Sequence, residues 1–218
     1  MSILETILSP IIWLMELILN FYIHLTSSIG ISILLLSFSF ALFLLPIQKL
    51  ANRVEKNISD KVNKVDKEVN SLRTELKGEK LFLATEKIYK KYNYHPIHSI
   101  GMGASFLAML PVLLSAILLF NGSEMLTGKS FLIIEDLSKP DGFYGVINIL
   151  PIIMTGITFI DAKLRFSGDR RSQNRFYIIA LVLLVIVYSL PSGLVLYWLG
   201  SNVMALTLNR IQSILNIE

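Results

Sequence analysis

The 218-residue chain reads as all-α: a polytopic membrane protein with five transmembrane helices, an N-terminal interfacial helix and a cytoplasmic antiparallel helical hairpin. Three observations predict this class. Hydrophobic residues make up 53% of the chain and charged residues 17%, which excludes a disordered chain. Four stretches carry no Asp, Glu, Lys or Arg: Leu17–Gln48, Tyr92–Ser123, Gly142–Ile160 and Phe176–Asn209. About 20 apolar residues cross a hydrocarbon core, and backbone groups in lipid must pair internally, so each stretch is expected to be helical. The charges, finally, are segregated. Residues 49–91 hold 12 Lys/Arg and 7 Asp/Glu, and residues 161–175 hold 5 and 2.

The N-terminal segment, 1–27, is expected to lie on the membrane rather than cross it. Glu5, Ser9, Trp13, Glu16, Asn20 and His24 recur at spacings of 4, 4, 3, 4 and 4, one polar stripe along a helix otherwise made of Ile, Leu, Met and Phe. A secretory signal fits poorly, because no Lys or Arg precedes Lys49. The first span is read at 28–48. A hairpin follows at 49–95, because Val54, Ile58, Val62, Val65, Val69, Leu72 and Leu76 form a heptad seam. Lys77-Gly78 offers the turn, and Leu81, Ala84, Ile88 and Tyr92 give the returning stripe. Its surface is basic through Arg53, Lys56, Lys61, Lys64, Lys87, Lys90 and Lys91. Either this is a solvated face, or it docks a ribosome, a targeting receptor or anionic lipid.

The second span is read at 96–120, an external loop at 121–142, the third span at 143–160 and a cytoplasmic loop at 161–174. The last charge-free stretch would be about 51 Å long as one helix, too long for one crossing. Leu190-Pro191-Ser192-Gly193 near its middle predicts two spans, at 175–190 and 191–218, rather than one kinked helix. The positive-inside rule places both basic segments in the cytoplasm, the N-terminus outside and the C-terminus inside.

Enzyme readings fail on inventory. The sequence has no cysteine, which removes disulfides and cysteine-ligated metal. No carboxylate pair lies within a span, and no Gly-rich phosphate loop or nucleophile constellation is present. His95 and His98, without acidic company, read as surface residues rather than metal ligands. No cofactor is expected.

The motifs, taken in order, resemble the YidC insertases, bacterial members of the Oxa/Alb superfamily. Pro191-Ser192-Gly193-Leu194-Val195-Leu196-Tyr197-Trp198, followed by Ser201-Asn202, is similar to the signature of the family's last two spans. Asp136-Leu137-Ser138-Lys139-Pro140-Asp141 resembles its external loop, and Ile149-Leu150-Pro151-Ile152 the span after it. Pro96, Met109-Leu110-Pro111, Pro10-Ile11-Ile12-Trp13 and Leu45-Pro46 match the remaining landmarks. The resemblance implies a five-span core around a hydrophilic groove, open to cytoplasm and lipid, along which small or single-span clients enter the bilayer without nucleotide hydrolysis. It implies nascent membrane proteins as clients, membrane lipid as surroundings, and the ribosome and Sec translocon as candidate partners. It implies a monomer in the bacterial inner membrane with no nucleic-acid specificity.

The family pattern also places an arginine five residues before the proline that ends the first span. That position is Ala41 here. Three readings follow: a neutral polar groove, a narrow range of non-acidic clients, or a paralog that binds one partner or perturbs lipid. The expected lining is Ser32, Ser37, Ser39, Ala41, Ser105, Thr155, Thr158, Tyr188, Tyr197, Trp198, Ser201 and Asn202. The plain alternative for each hydroxyl is a bond to its own helix carbonyl. An amide such as Asn202 needs several partners at membrane depth and must face protein or water.

Overall fold

The computed structural model describes residues 3–95, 104–143, 145 and 147–214, with the side chains of 104–106, 171 and 212–214 excepted. Pro96, His98 and Gly101-Met102-Gly103 lie outside these residues. So does the side chain of Ser105. The described residues form seven α-helices and no strand: α1 Ile3–Thr26, α2 Ile29–Glu75, α3 Gly78–Lys91, α4 Ala104–Phe120, α5 Ile149–Arg165, α6 Arg170–Val187 and α7 Ser192–Ile214. Two compact units result, one of Met1–Phe43 with Pro111–Glu218, the other of Leu44–Leu110.

Helix boundaries differ from expectation in α2, α5 and α6. α2 runs unbroken through Pro46, where the first span was expected to give way to the hairpin. An interior proline removes one backbone donor and crowds the carbonyl four residues back, a local cost that does not end this 47-residue helix. The third span, expected at 143–160, is helical over Ile149–Arg165. Asp141 Oδ2 accepts the backbone N–H groups of Ile149 and Leu150 at 2.6 and 2.9 Å, meeting two donors that a helix start leaves open. Asp161 and Arg165, expected in the cytoplasmic loop at 161–174, lie within α5. α6 starts at Arg170 and stops at Val187, and α7 starts at Ser192, so the last stretch is two helices and not one kinked helix.

In the first unit, Met15 and Leu19 of α1, Ile33, Leu36 and Phe40 of α2, Leu119 and Phe120 of α4, and Leu194, Leu196 and Tyr197 of α7 share one apolar cluster. Leu126, Ile134 and Leu137 from the loop at 121–148 complete it. Met154, Val187, Val195 and Trp198 form a second cluster joining α5, α6 and α7. Backbone bonds from Ser192 N to Lys139 O (2.7 Å) and from Gly193 N to Leu137 O (2.9 Å) seat the loop on the first turn of α7. Gly193 must be small there, since a Cβ would stand 2.8 Å from Leu126 Cδ1. α1 and α2 are each long and apolar enough to cross a membrane.

In the second unit, Val65, Val69 and Ile88 are buried together, with Leu72, Tyr89, Tyr92 and Tyr94 against them. The chain reverses around Gly78, whose φ is +60°, the left-handed region glycine tolerates. Lys91 pairs with Glu68 at 2.8 Å, and Lys61 Nζ donates to Asn93 O at 3.0 Å. The expected seam drifts at its start: Val54 is 42% exposed while Ala51 and Glu55 are buried. A straight helix slips about 20° per heptad against a 3.5-residue repeat, which moves the buried stripe to neighbouring positions.

Candidate functional site

Most of the expected groove hydroxyls are turned into the protein. Ser32, Ser37, Thr155 and Ser201 are buried. Ser32 Oγ donates to Ser28 O (2.7 Å), Ser37 Oγ to Leu34 O (2.7 Å), Thr155 Oγ1 to Pro151 O (2.8 Å) and Ser201 Oγ to Tyr197 O (3.1 Å). Ser39 Oγ donates to Leu35 O at 2.9 Å and also meets Tyr22 Oη at 2.7 Å, tying α1 to α2. These bonds satisfy the buried hydroxyls within their own helices and let helices approach. Ser37 makes such an approach against α7: a Cβ on Gly200 would collide with Ser37 Oγ and stand 3.2 Å from Ser37 Cβ. Ala41 is buried as well. Tyr197 packs on Phe120 at 5.9 Å between ring centroids, and Trp198 sits in the α5–α6–α7 cluster. Tyr188 works as a tether, its carbonyl accepting from Asn148 Nδ2 at 2.7 Å.

Polar side-chain contacts between helices of the first unit lie on two seams: that of α1 and α2, where Thr26 Oγ1 also meets Ser32 Oγ at 3.0 Å, and that of α5 and α7. Asn202 Nδ2 donates to Thr158 Oγ1 at 3.2 Å, and Thr158 Oγ1 donates onward to Met154 O at 2.9 Å. Two turns further along, Asn209 Nδ2 donates to Asp161 Oδ1 at 3.1 Å. Asp161 Oδ2 accepts from Arg165 at 2.6 Å, the two side chains being 20% and 24% exposed. Arg165 Nε is buried without a hydrogen-bond partner among the described residues. At 1.5 Å per residue, Thr158 lies about 14 Å and Arg165 about 24 Å along α5 from its first residue. The seam therefore occupies the half of α5 remote from the loop at 121–148, while the loop half is closed by apolar side chains. Asp161 and Arg165 were missed because charges were read as loop markers. Their spacing from Thr158, 3 and 7 residues, is the signal that puts all three on one helix face.

Two further features border the first unit. Glu5, Ser9, Ile12, Trp13 and Glu16 of α1 line a pocket with Leu118 of α4, so four members of the predicted polar stripe share one face. In the loop, Asp136 Oδ1 accepts from Ser138 Oγ (2.7 Å), Ser138 N (3.0 Å) and Gly128 N (3.2 Å). These donors pull its carboxyl down to about 2, from 3.8. Of the basic residues on α2 and α3, Lys61, Lys90 and Lys91 are engaged with Asn93, Glu86 and Glu68. Arg53, Lys56, Lys64 and Lys87 are exposed.

Residues 21–215 match the family described as the 60Kd inner membrane protein. The chain belongs to the YidC family. A membrane protein insertase YidC of Magnetococcus marinus is 30% identical over 192 residues, which cover 87% of this chain and 33% of that protein. A YidC of Fusobacterium nucleatum is 28% identical over 177 residues, covering 81% of this chain and 82% of the relative. The chain thus spans about a third of the length of the Magnetococcus relative and most of the Fusobacterium one. The fold is that of a YidC crystal structure described as an active insertase with its first transmembrane domain resolved: the TM-score is 0.57, at 20% identity over 96% of this chain and 47% of the other. Membership in the YidC family makes this chain a bacterial inner-membrane protein.

Proposed function

We propose that this chain is a membrane protein insertase that guides small or single-span clients into the bilayer along a polar path on the inner half of α5 and α7. The carrying observation is the run Thr158–Asn202 and Asp161–Asn209, with Arg165 beside it, set against an apolar seal on the loop half. A polar segment in hydrocarbon costs several kcal/mol for each unpaired group. Side chains that can exchange bonds with it on one half of the crossing shorten the unfavourable distance. Burial of the client's own apolar span supplies the driving force, with no nucleotide.

The reading extends to topology and partners. Five spans leave the N-terminus outside and the C-terminus in the cytoplasm, with α1 lying in the outer interface. The later part of α2 and α3 form a cytoplasmic docking arm, on which Arg53, Lys56, Lys64 and Lys87 face a ribosome, the Sec translocon or anionic lipid. The protein acts as a monomer without cofactor. A second reading, a paralog dedicated to one partner or to perturbing lipid, is favoured by Ala41 and by the back-bonded hydroxyls.

Photoreactive residues at Thr158 and Asn202, compared with Val185 on the exposed face of α6, test the proposal against an arrested single-span nascent chain. Crosslinks at 158 and 202 but not 185, together with rescue of an insertase-depleted strain, are expected. Crosslinks to a single stable partner, without rescue, would establish the paralog.

A further inference from the structure

The loop between α4 and α5 carries a two-residue apolar finger. Phe131 and Ile134 pair through two backbone hydrogen bonds of 2.9 Å each. Leu132 and Ile133 between them are 86% and 66% exposed. Leu132 holds a φ of 52°, a conformation unfavourable for a bulky non-glycine residue. A tip that only had to turn would carry glycine or asparagine there. This one holds two of the largest aliphatic side chains away from the protein.

The root of the finger fixes its height. The Phe131 ring covers Gly30 so closely that a Cβ on Gly30 would lie 2.7 Å from Phe131 Cβ and closer still to the ring. Gly30 belongs to the first turn of α2, whose apolar segment is long enough to cross a membrane. The finger is therefore pinned beside the end of that segment. Leu25 and Ile31, which flank the turn into α2, are also exposed, at 67% and 43%, so apolar surface brackets the same helix start. No charge lies between Phe131 and Ile134, and a neutral occupant is what such a tip accepts.

We propose that Leu132 and Ile133 are an interfacial anchor, inserting into the acyl-chain boundary of the leaflet at which α2 begins and holding the loop on the bilayer surface. The anchor fixes the depth at which the loop half of the bundle sits, and it operates whether or not the chain inserts clients. Because the sequence contains no cysteine, single nitroxide labels can be attached at Leu132→Cys and Ile133→Cys without removing anything native. Lys129→Cys and Pro140→Cys, exposed on the same loop, serve as aqueous references. The full chain is reconstituted in phosphatidylcholine vesicles, and collision with oxygen is compared with collision with a water-soluble nickel chelate. With the chelate present both inside and outside the vesicles, this ratio does not depend on the orientation of the protein. At 132 and 133 the oxygen-to-nickel ratio should exceed that at 129 and 140 at least threefold. Equal ratios at all four positions would overturn the anchor. So would loss of both collisions at 132 and 133, which would mean that protein and not lipid covers the finger.

Discussion

Gly200→Ala puts the role of Ser37 to a quantitative test. The added methyl would collide with Ser37 Oγ and stand 3.1 Å from Leu34 Cδ2 and 3.2 Å from Ser37 Cβ. The hydroxyl cannot swing aside without giving up its 2.7 Å bond to Leu34 O. Overpacking costs about 1–3 kcal/mol, and a collision this deep takes the upper part of that range, about 2–3 kcal/mol, while alanine for glycine inside a helix returns about 1 kcal/mol. The single variant should therefore lose about 1–2 kcal/mol by difference. Ser37→Ala alone should cost under about 0.5 kcal/mol, since the carbonyl it leaves still has its helical donor. Combined, the two should recover nearly all the loss, a coupling of about 1–2 kcal/mol. Equilibrium unfolding in mixed micelles with rising SDS fraction measures each term. If Gly200→Ala is neutral or stabilising, or if Ser37→Ala does not rescue it, then Ser37 faces open space and not α7, and the assignment of that serine to packing is wrong.

Further outcomes follow from the seam and the loop. Asp161→Ala leaves Arg165 half-buried without its carboxylate and should cost about 1–2 kcal/mol, between the surface and buried limits. Asp161→Asn should cost less, and insertion of a reporter client should fall in both. The Asp136 carboxyl is held at about 2 against an unfolded 3.8, so its contribution is complete above about pH 4 and drains away as pH falls toward 2. The protection factors for hydrogen exchange at Gly128 and Ser138, taken against the intrinsic rate at each pH, should fall through that window, and Asp136→Asn should remove this pH dependence. Leu132→Gly relieves a positive φ and should stabilise the loop by about 1 kcal/mol in detergent, read as a rise in the unfolding midpoint. The same substitution should weaken attachment of the loop to vesicles.

How much of this was legible depends on the kind of signal. The break between α6 and α7 was readable because Pro191 cannot donate within a helix and Gly193 allows the loop to close over it. The buried stripe of Val62, Val65 and Val69 was readable because apolar spacing is itself the cause of burial. The orientation of Ser32, Ser37 and Thr155 was not. A hydroxyl that lines water and one that bonds its own helix carry the same letter, and only the neighbouring helix decides between them. Asp161 and Arg165 were misassigned for a different reason. Charge marks the end of an apolar run, not the end of a helix, and α5 continues past it. Asp141 as the start of α5 was likewise out of reach, because an eight-residue separation from Ile149 leaves no local pattern.

The tethers on the loop half of α5, α6 and α7 are largely main-chain exchanges: Lys139 with Ser192, Leu137 with Gly193, and Asn148 with the carbonyl of Tyr188. At the far end of the seam, Asn209 and Asp161 meet through side chains, which an arriving polar group can displace. Within the first unit this lacing is stiff on one rim only. Under the proposed insertase function, the side-chain rim yields to an arriving client while the main-chain rim stays drawn, so entry from that side opens no path for ions.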